Sequence, residues 1–277
     1  MRIDSHQHYW DLSKLKYDWM PPEPSVLRKT YLPSDLEPIL ERNRFDGSVV
    51  VQAHQSMDET RWLLELGRIH KSILGVVAWV DLKDPDLGKT LDDLKKDPKF
   101  KGVRHIVHDE PDVKWIVQPD VIRGLKQLES RDIPYDLLFR PPHLKLVPEL
   151  SEKLPKLRMV IDHIAKPLIK EGRVDGWADD IATAAKNPNI YCKLSGMITE
   201  ADPKNWKPEQ LVPYVRHVIA MFGPERLMFG SDWPVCLLAG SWKEVLSAFT
   251  QAIGAHPIGV REKMLGLTAA EFYRIKA

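Results

Sequence analysis

The chain has 277 residues, 43% of them hydrophobic, which suffices for a large core and matches the usual length of one α/β barrel. Forty Lys and Arg against 39 Asp and Glu leave a net charge of +1, so there is no basic face for nucleic acid or an anionic membrane, and the expected partner is a small molecule. The opening Met1-Arg-Ile-Asp-Ser-His6 lacks the apolar run of a secretory leader, and no stretch approaches the ~18 apolar residues of a membrane span. The cysteines Cys192 and Cys236 have no metal-type spacing and suit a reducing compartment, so the cytoplasm is the expected location.

Eight apolar, strand-like runs follow one another: Ile3 to His8, Gly47 to His54, Ile73 to Leu82, Lys101 to His108, Pro134 to Arg140, Arg158 to His163, Ile190 to Ser195 and Arg226 to Asp232. Runs such as Val49-Val-Val51 and Val76-Val-Ala-Trp-Val80 are continuous rather than alternating, as in parallel strands buried on both faces. The first run ends in His6-Gln-His8, and residues two apart on a strand share a face, so the two imidazoles converge. After it, Tyr9 to Tyr31 holds Trp10, Tyr17, Trp19 and Met20. That is too long for a simple turn, and it is expected to form a partial lid.

Ser34-Asp-Leu-Glu37, Ser56-Met-Asp-Glu59 and Thr268-Ala-Ala-Glu271 match capping boxes at helix starts. Leu125 with Leu128, Val212 with Val215 and Ile219, and Val245 with Phe249 repeat at helical spacing. Eight β/α repeats without a G-x-G-x-x-G or P-loop turn predict one (β/α)8 TIM-type barrel over residues 1–277 rather than a doubly wound sheet.

In a barrel the C-terminal ends of the strands surround one cavity. The polar residues at those ends are His6 and His8, Gln52 and His54, Asp81, Arg104, His105 and His108, Asp136 and Arg140, His163 with Lys166, Lys193 and Ser195, and Asp232. His6, His8, His163 and Asp232 form the strongest set, because they join runs one, six and eight across the barrel mouth.

His6-Gln-His8, Asp162-His-Ile-Ala-Lys-Pro167 and Met228-Phe-Gly-Ser-Asp-Trp-Pro234, with Gly102-Val-Arg-His105 and Lys193-Leu-Ser-Gly196 between them, resemble the amidohydrolase superfamily, in particular its lactonase branch. The resemblance covers essentially the whole chain, with the sugar-lactone members nearest. It implies hydrolysis of a sugar lactone, L-fuconolactone first among them. By the resemblance, the binuclear members use a lysine or another bridging ligand at the end of strand five, and Asp136-Leu-Leu-Phe-Arg140 offers no lysine there and only one ambiguous acid. A second metal is therefore not expected. A single zinc or similar divalent ion on His6, His8 and Asp232 would fit three protein ligands and an open position, and the resemblance implies that such an ion is optional.

In that reaction Asp232 is the expected base for water and the acid that returns the proton to the leaving ring oxygen. His6, His8 and His163, or an ion they hold, polarise the carbonyl, and Arg104 and Lys166 supply positive charge to the oxyanion. Gln52, His105, Trp19 and Trp233 are the expected substrate contacts. Two other readings remain open: a metal-dependent decarboxylase of the same superfamily, and a catalytically silent sugar-acid-binding barrel. The oligomeric state is open as well.

Overall fold

A computed structural model of the protein describes residues 1–276. Each apolar run contains one strand: β1 (Ile3–Gln7), β2 (Gly47–Val51), β3 (Ile73–Ala78), β4 (Phe100–His105), β5 (Tyr135–Leu137), β6 (Met159–Ile161), β7 (Ile190–Leu194) and β8 (Leu227–Phe229). All pair in parallel with their neighbours in chain order. Beyond the ends of β8 and β1 the ring is drawn shut by Asp232 N–H donating to the His6 carbonyl and His8 N–H donating to the Trp233 carbonyl, both 2.7 Å. Helices intervene between consecutive strands, the longest being Met57–Ile69, Pro119–Ser130, Pro208–Phe222 and Trp242–Ile253. The architecture is the expected (β/α)8 barrel. No helix among the described residues is long and apolar enough to cross a membrane.

The strands are shorter than the apolar runs that announce them. Pro134 to Arg140 contains only a three-residue strand, Tyr135–Leu137. The surplus apolar residues belong to the loops beyond the strands, where Leu138 and Phe139 are themselves buried. Burial, which periodicity reports, therefore extends further than strand pairing.

Inside the barrel, Ile3, Val49, Val51, Val77, Val160 and Met228 pack together with Phe272 and Tyr273. Val49 on β2 and Val160 on β6 belong to strands that are not neighbours in the sheet, so they meet only through the interior. The C-terminal helical segment Thr268–Phe272 and the adjoining Tyr273 thus plug the end of the barrel opposite the His-bearing loops. A second, larger cluster fills the space between strands and helices.

The caps differ from expectation. Pro33 begins the first helix, Pro33–Arg42, one residue before Ser34, and it is Asp35 that accepts the Leu32 N–H at 2.8 Å. Glu37 instead accepts from the Ser72 hydroxyl. Ser56 does cap, accepting from Asp58 N–H, but Glu59 reaches past it to the Ala53 and His54 N–H groups. Thr268 continues a helical run that begins at Ile258, so it starts no free helix end. The full capping box lies at Ser241 and Glu244.

The Tyr9–Tyr31 segment is pinched at its ends by reciprocal backbone hydrogen bonds between Trp10 and Tyr31, 3.1 and 2.9 Å. Trp10 is fully buried among Tyr17, Trp19 and Tyr31, with ring centroids 5.5–6.1 Å apart. The segment is a small aromatic cap whose buried rings are continuous with the core between strands and helices.

Candidate active site

His6 lies within β1 and His8 one residue beyond it; β1 slips register against β2 between Asp4 and Gln7. Asp232 follows β8 with φ +57°, and His163 follows β6 with φ +53°. Residues 163–166 all have positive φ without a glycine among them. A run of left-handed residues is costly for L-amino acids, and here it turns His163 and Lys166 toward the barrel mouth.

One carboxylate oxygen, Asp232 Oδ1, is the point of convergence. It lies 3.2 Å from His8 Nε2, 3.7 Å from His6 Nε2 and 3.9 Å from His163 Nε2. All four side chains are buried, and His8, His163 and Asp232 lie at the foot of a cavity of about 290 Å³, whose wall includes Trp19, Arg104, His108, Arg140 and Lys166. Burial would raise the Asp232 carboxyl, but His163, the His8 hydrogen bond and Lys166 outweigh it and hold the group below its ordinary value. It is therefore a carboxylate at neutral pH.

Under this set lies a buried ionic floor. Lys193 Nζ is 2.5 Å from Asp136 Oδ2 and 3.0 Å from Asp162 Oδ1. Arg104 Nη1 donates to Asp162 Oδ2 at 3.1 Å, and Tyr273 donates its hydroxyl to Asp136. Burial alone would raise Asp162, yet Lys193, His6 and Arg104 hold it well below the carboxylate range.

The neighbours also engage the ring nitrogens. His8 Nδ1 donates to the Val51 carbonyl at 2.7 Å. Arg104 Nη1 donates to His6 Nε2 at 3.3 Å, while His6 Nδ1 lies 3.2 Å from Lys193 Nζ and 3.3 Å from Asp162 Oδ1. Burial keeps His6 and His163 neutral, with pKa values well below the usual histidine range.

His8 Nε2 faces the same carboxylate oxygen, Asp232 Oδ1, at 3.2 Å. His6, His8 and Asp232 each offer a ligand atom, all within 4.8 Å of one another. This donor set fits a divalent ion. His6, Asp162 and His163 form a second such group, but Lys193 and Arg104 already neutralise its carboxylate.

Of the residues expected from the sequence, His6, His8, His163 and Asp232 come together, and Arg104, Lys166 and Trp19 line the cavity above them. Lys166 is also paired with Glu200 at 2.7 Å. Gln52, His105 and Trp233 do not line the cavity. Gln52 is fully buried, its carbonyl accepting from Arg104 Nη2 and its side-chain amide donating to the Arg104 carbonyl, so it braces that arginine. His105 accepts from Trp79, bonds Glu110 at 2.6 Å and stacks on Trp115. Trp233 packs on Tyr31 and Tyr9. The latter two directly follow an inward-pointing residue in sequence and turn away from it; for His105 this is the alternation of an extended strand.

Asp162 and Ser195 are the supports that sequence reading undervalued. Asp162 holds the floor together, and the Ser195 hydroxyl lies 2.9 Å from His163 Nδ1. His108 lines the cavity as a neutral imidazole, its pKa pushed down to about 3 by burial and by Lys166, Arg140 and Arg104.

The sequence profile of the amidohydrolase family matches residues 3–275. This chain belongs to that family. Among its relatives, an L-fucono-1,5-lactonase of Burkholderia ambifaria is 38% identical over 280 residues, spanning 99% of this chain and 96% of the relative. An L-fucono-1,5-lactonase of Burkholderia multivorans is 36% identical over 289 residues, with the same coverage of 99% and 96%. A crystal structure of an amidohydrolase from Burkholderia multivorans with bound zinc superposes on this amidohydrolase with a TM-score of 0.94 at 34% identity, covering 100% of both chains.

Proposed function

We propose that this amidohydrolase opens a sugar lactone to the free aldonate, L-fuconolactone foremost, and that Asp232 is its general base. The observation that carries the reading is the single Asp232 oxygen ringed by three imidazoles at the foot of a cation-walled cavity. The names of the relatives, L-fucono-1,5-lactonase at 38% and 36% identity over nearly the full length, support the substrate class. A volume of about 290 Å³ is at the small end of ligand sites and suits one monosaccharide ring.

In this mechanism Asp232, held ionised by its neighbours, takes a proton from water as the water oxygen attacks the lactone carbonyl carbon. The carbonyl electron pair moves onto oxygen, where fixed cations stabilise it. Arg104 is suited to this, since its Nε–H is buried without an acceptor and the side chain lines the cavity. Lys166 contributes less, its charge being shared with Glu200. When the tetrahedral centre collapses, the bond to the ring oxygen breaks and Asp232 returns its proton to that oxygen. One carboxylate thereby serves both steps. A single divalent ion held by His6, His8 and Asp232, zinc by the nature of the donors, would supply Lewis-acid polarisation at the same carbonyl. Trp19 offers an apolar wall for the C–H face of the sugar.

A pH-indicator assay over a panel of aldonolactones and dicarboxylic lactones, with and without chelator, tests the assignment. The expected result is turnover of L-fuconolactone well above spontaneous opening. Turnover of none of the panel above background would refute it.

A further inference from the structure

Three imidazoles surround the reacting centre, and two of them are engaged by other groups of the site. His8 Nδ1 donates to the Val51 carbonyl with its Nε2 3.2 Å from Asp232, and His6 Nε2 accepts from Arg104. His163 has a different partner. Its Nδ1 contacts a single group, the Ser195 hydroxyl at 2.9 Å, and its Nε2 lies 3.9 Å from Asp232 Oδ1.

We infer that Ser195 is a positioning residue that makes His163 the hydrogen-bond donor of the site: the serine hydroxyl donates to Nδ1, and the ring proton stands on Nε2, facing Asp232 and the cavity. The inference rests on the lactonase reading only for what the N–H then does, which is to donate to the lactone carbonyl oxygen as charge develops there.

The opposite arrangement is worse at both nitrogens. If Nδ1 donated to Ser195, the hydroxyl proton of a fully buried serine would have no other acceptor among the described residues, a loss comparable to a broken hydrogen bond. The Nε2 lone pair would then also face the Asp232 carboxylate. With Ser195 as donor, the hydroxyl is satisfied and an N–H faces the anion. The neighbouring backbone supports the contact. Gly196 follows with φ +62°, and a Cβ there would come within 2.5 Å of His163 Nδ1, so the serine reaches the ring only because the next residue has no side chain.

The test combines a spectroscopic signature with kinetics. Long-range ¹H–¹⁵N correlation on the full-length ¹⁵N-labelled protein, without substrate, reports which His163 nitrogen is protonated, and the expected result is Nε2. Ser195→Ala, which removes one oxygen from a buried position, is expected to lower kcat about fivefold, the usual worth of one neutral hydrogen bond, with KM little changed. Ser195→Thr, which keeps the hydroxyl, is expected to restore most of that loss. A wild-type His163 protonated on Nδ1 overturns the inference, as does a Ser195→Ala enzyme with unaltered kcat. The spectrum needs neither a variant nor turnover. A wild-type protein inactive on every lactone would refute the function while the nitrogen shifts still judge the Ser195 assignment.

Discussion

Asp232 draws its chemistry from its surroundings. Burial pushes the carboxyl up, His163, His8 and Lys166 pull it down, and the net result is an ionised carboxylate. Asp232→Asn preserves shape and hydrogen bonding but cannot accept a proton from water, so kcat is expected to fall by about 10²–10⁴-fold with the fold intact. A purified, folded variant that keeps more than about a tenth of wild-type kcat would remove Asp232 from the mechanism. Gly196 poses a steric question instead. Ala at this left-handed position places a methyl group 2.5 Å from His163 Nδ1. Gly196→Ala should therefore displace the imidazole, lower kcat at least as much as Ser195→Ala, and cost about 1–2 kcal/mol of stability through its backbone alone. Steady-state kinetics beside urea unfolding separates the two effects. At this scale the sequence was most legible where residue spacing equals geometric spacing, as in His6 and His8. It was least legible at Arg104-His105 and Asp232-Trp233, where one member of each adjacent pair enters the site and the other turns away.

Among the elements, the Tyr9–Tyr31 segment brings Trp19 to the cavity from a cap cored by Trp10, Tyr17 and Tyr31. Trp19 is 38% exposed, so its removal leaves that core in place. Trp19→Ala is expected to raise KM several-fold with a smaller change in kcat, the pattern of a lost binding wall, and initial-rate kinetics on the best lactone of the panel checks it. Glu59, in the first turn of the helix Met57–Ile69, ties that helix back to the loop beyond β2 through the Ala53 and His54 N–H groups. Burial lifts its pKa from 4.5 to about 7. The folded state then binds a proton that the unfolded state has already released. The stabilising contribution is complete below pH 4.5 and is lost as pH rises through about 7, a total of roughly 3 kcal/mol. Urea unfolding at pH 5 and pH 8 should show wild type losing more stability over this interval than Glu59→Gln; equal losses would contradict the assignment. Sequence read Glu59 as one half of a capping box because the spacing to Ser56 is right. Which N–H groups the carboxylate finds depends on how the preceding loop folds back, and that loop is shaped by the barrel.

For the whole molecule, the barrel interior divides into an apolar end plugged by Phe272 and Tyr273 and an ionic end where Lys193 and Arg104 lie among Asp136 and Asp162. These fixed cations already balance the buried carboxylates beneath His6, so a second metal ion would meet repulsion rather than unpaired charge. Elemental analysis of the purified protein should find no more than one tightly held ion per chain, and two would contradict this account of the interior. The sequence by itself determined the barrel, because eight buried runs alternating with helical segments admit few other closed solutions, and it determined His6, His8, His163 and Asp232, because each stands at the end of a run. Only the tertiary structure decided which groups meet each imidazole nitrogen, that Asp162 and Ser195 support the site, and that Gln52, His105 and Trp233 lie outside the cavity. Those facts depend on contacts between residues as far apart as Arg104 and His6, or Trp233 and Tyr31. Local periodicity reports which side of a strand is buried, but not what meets it there.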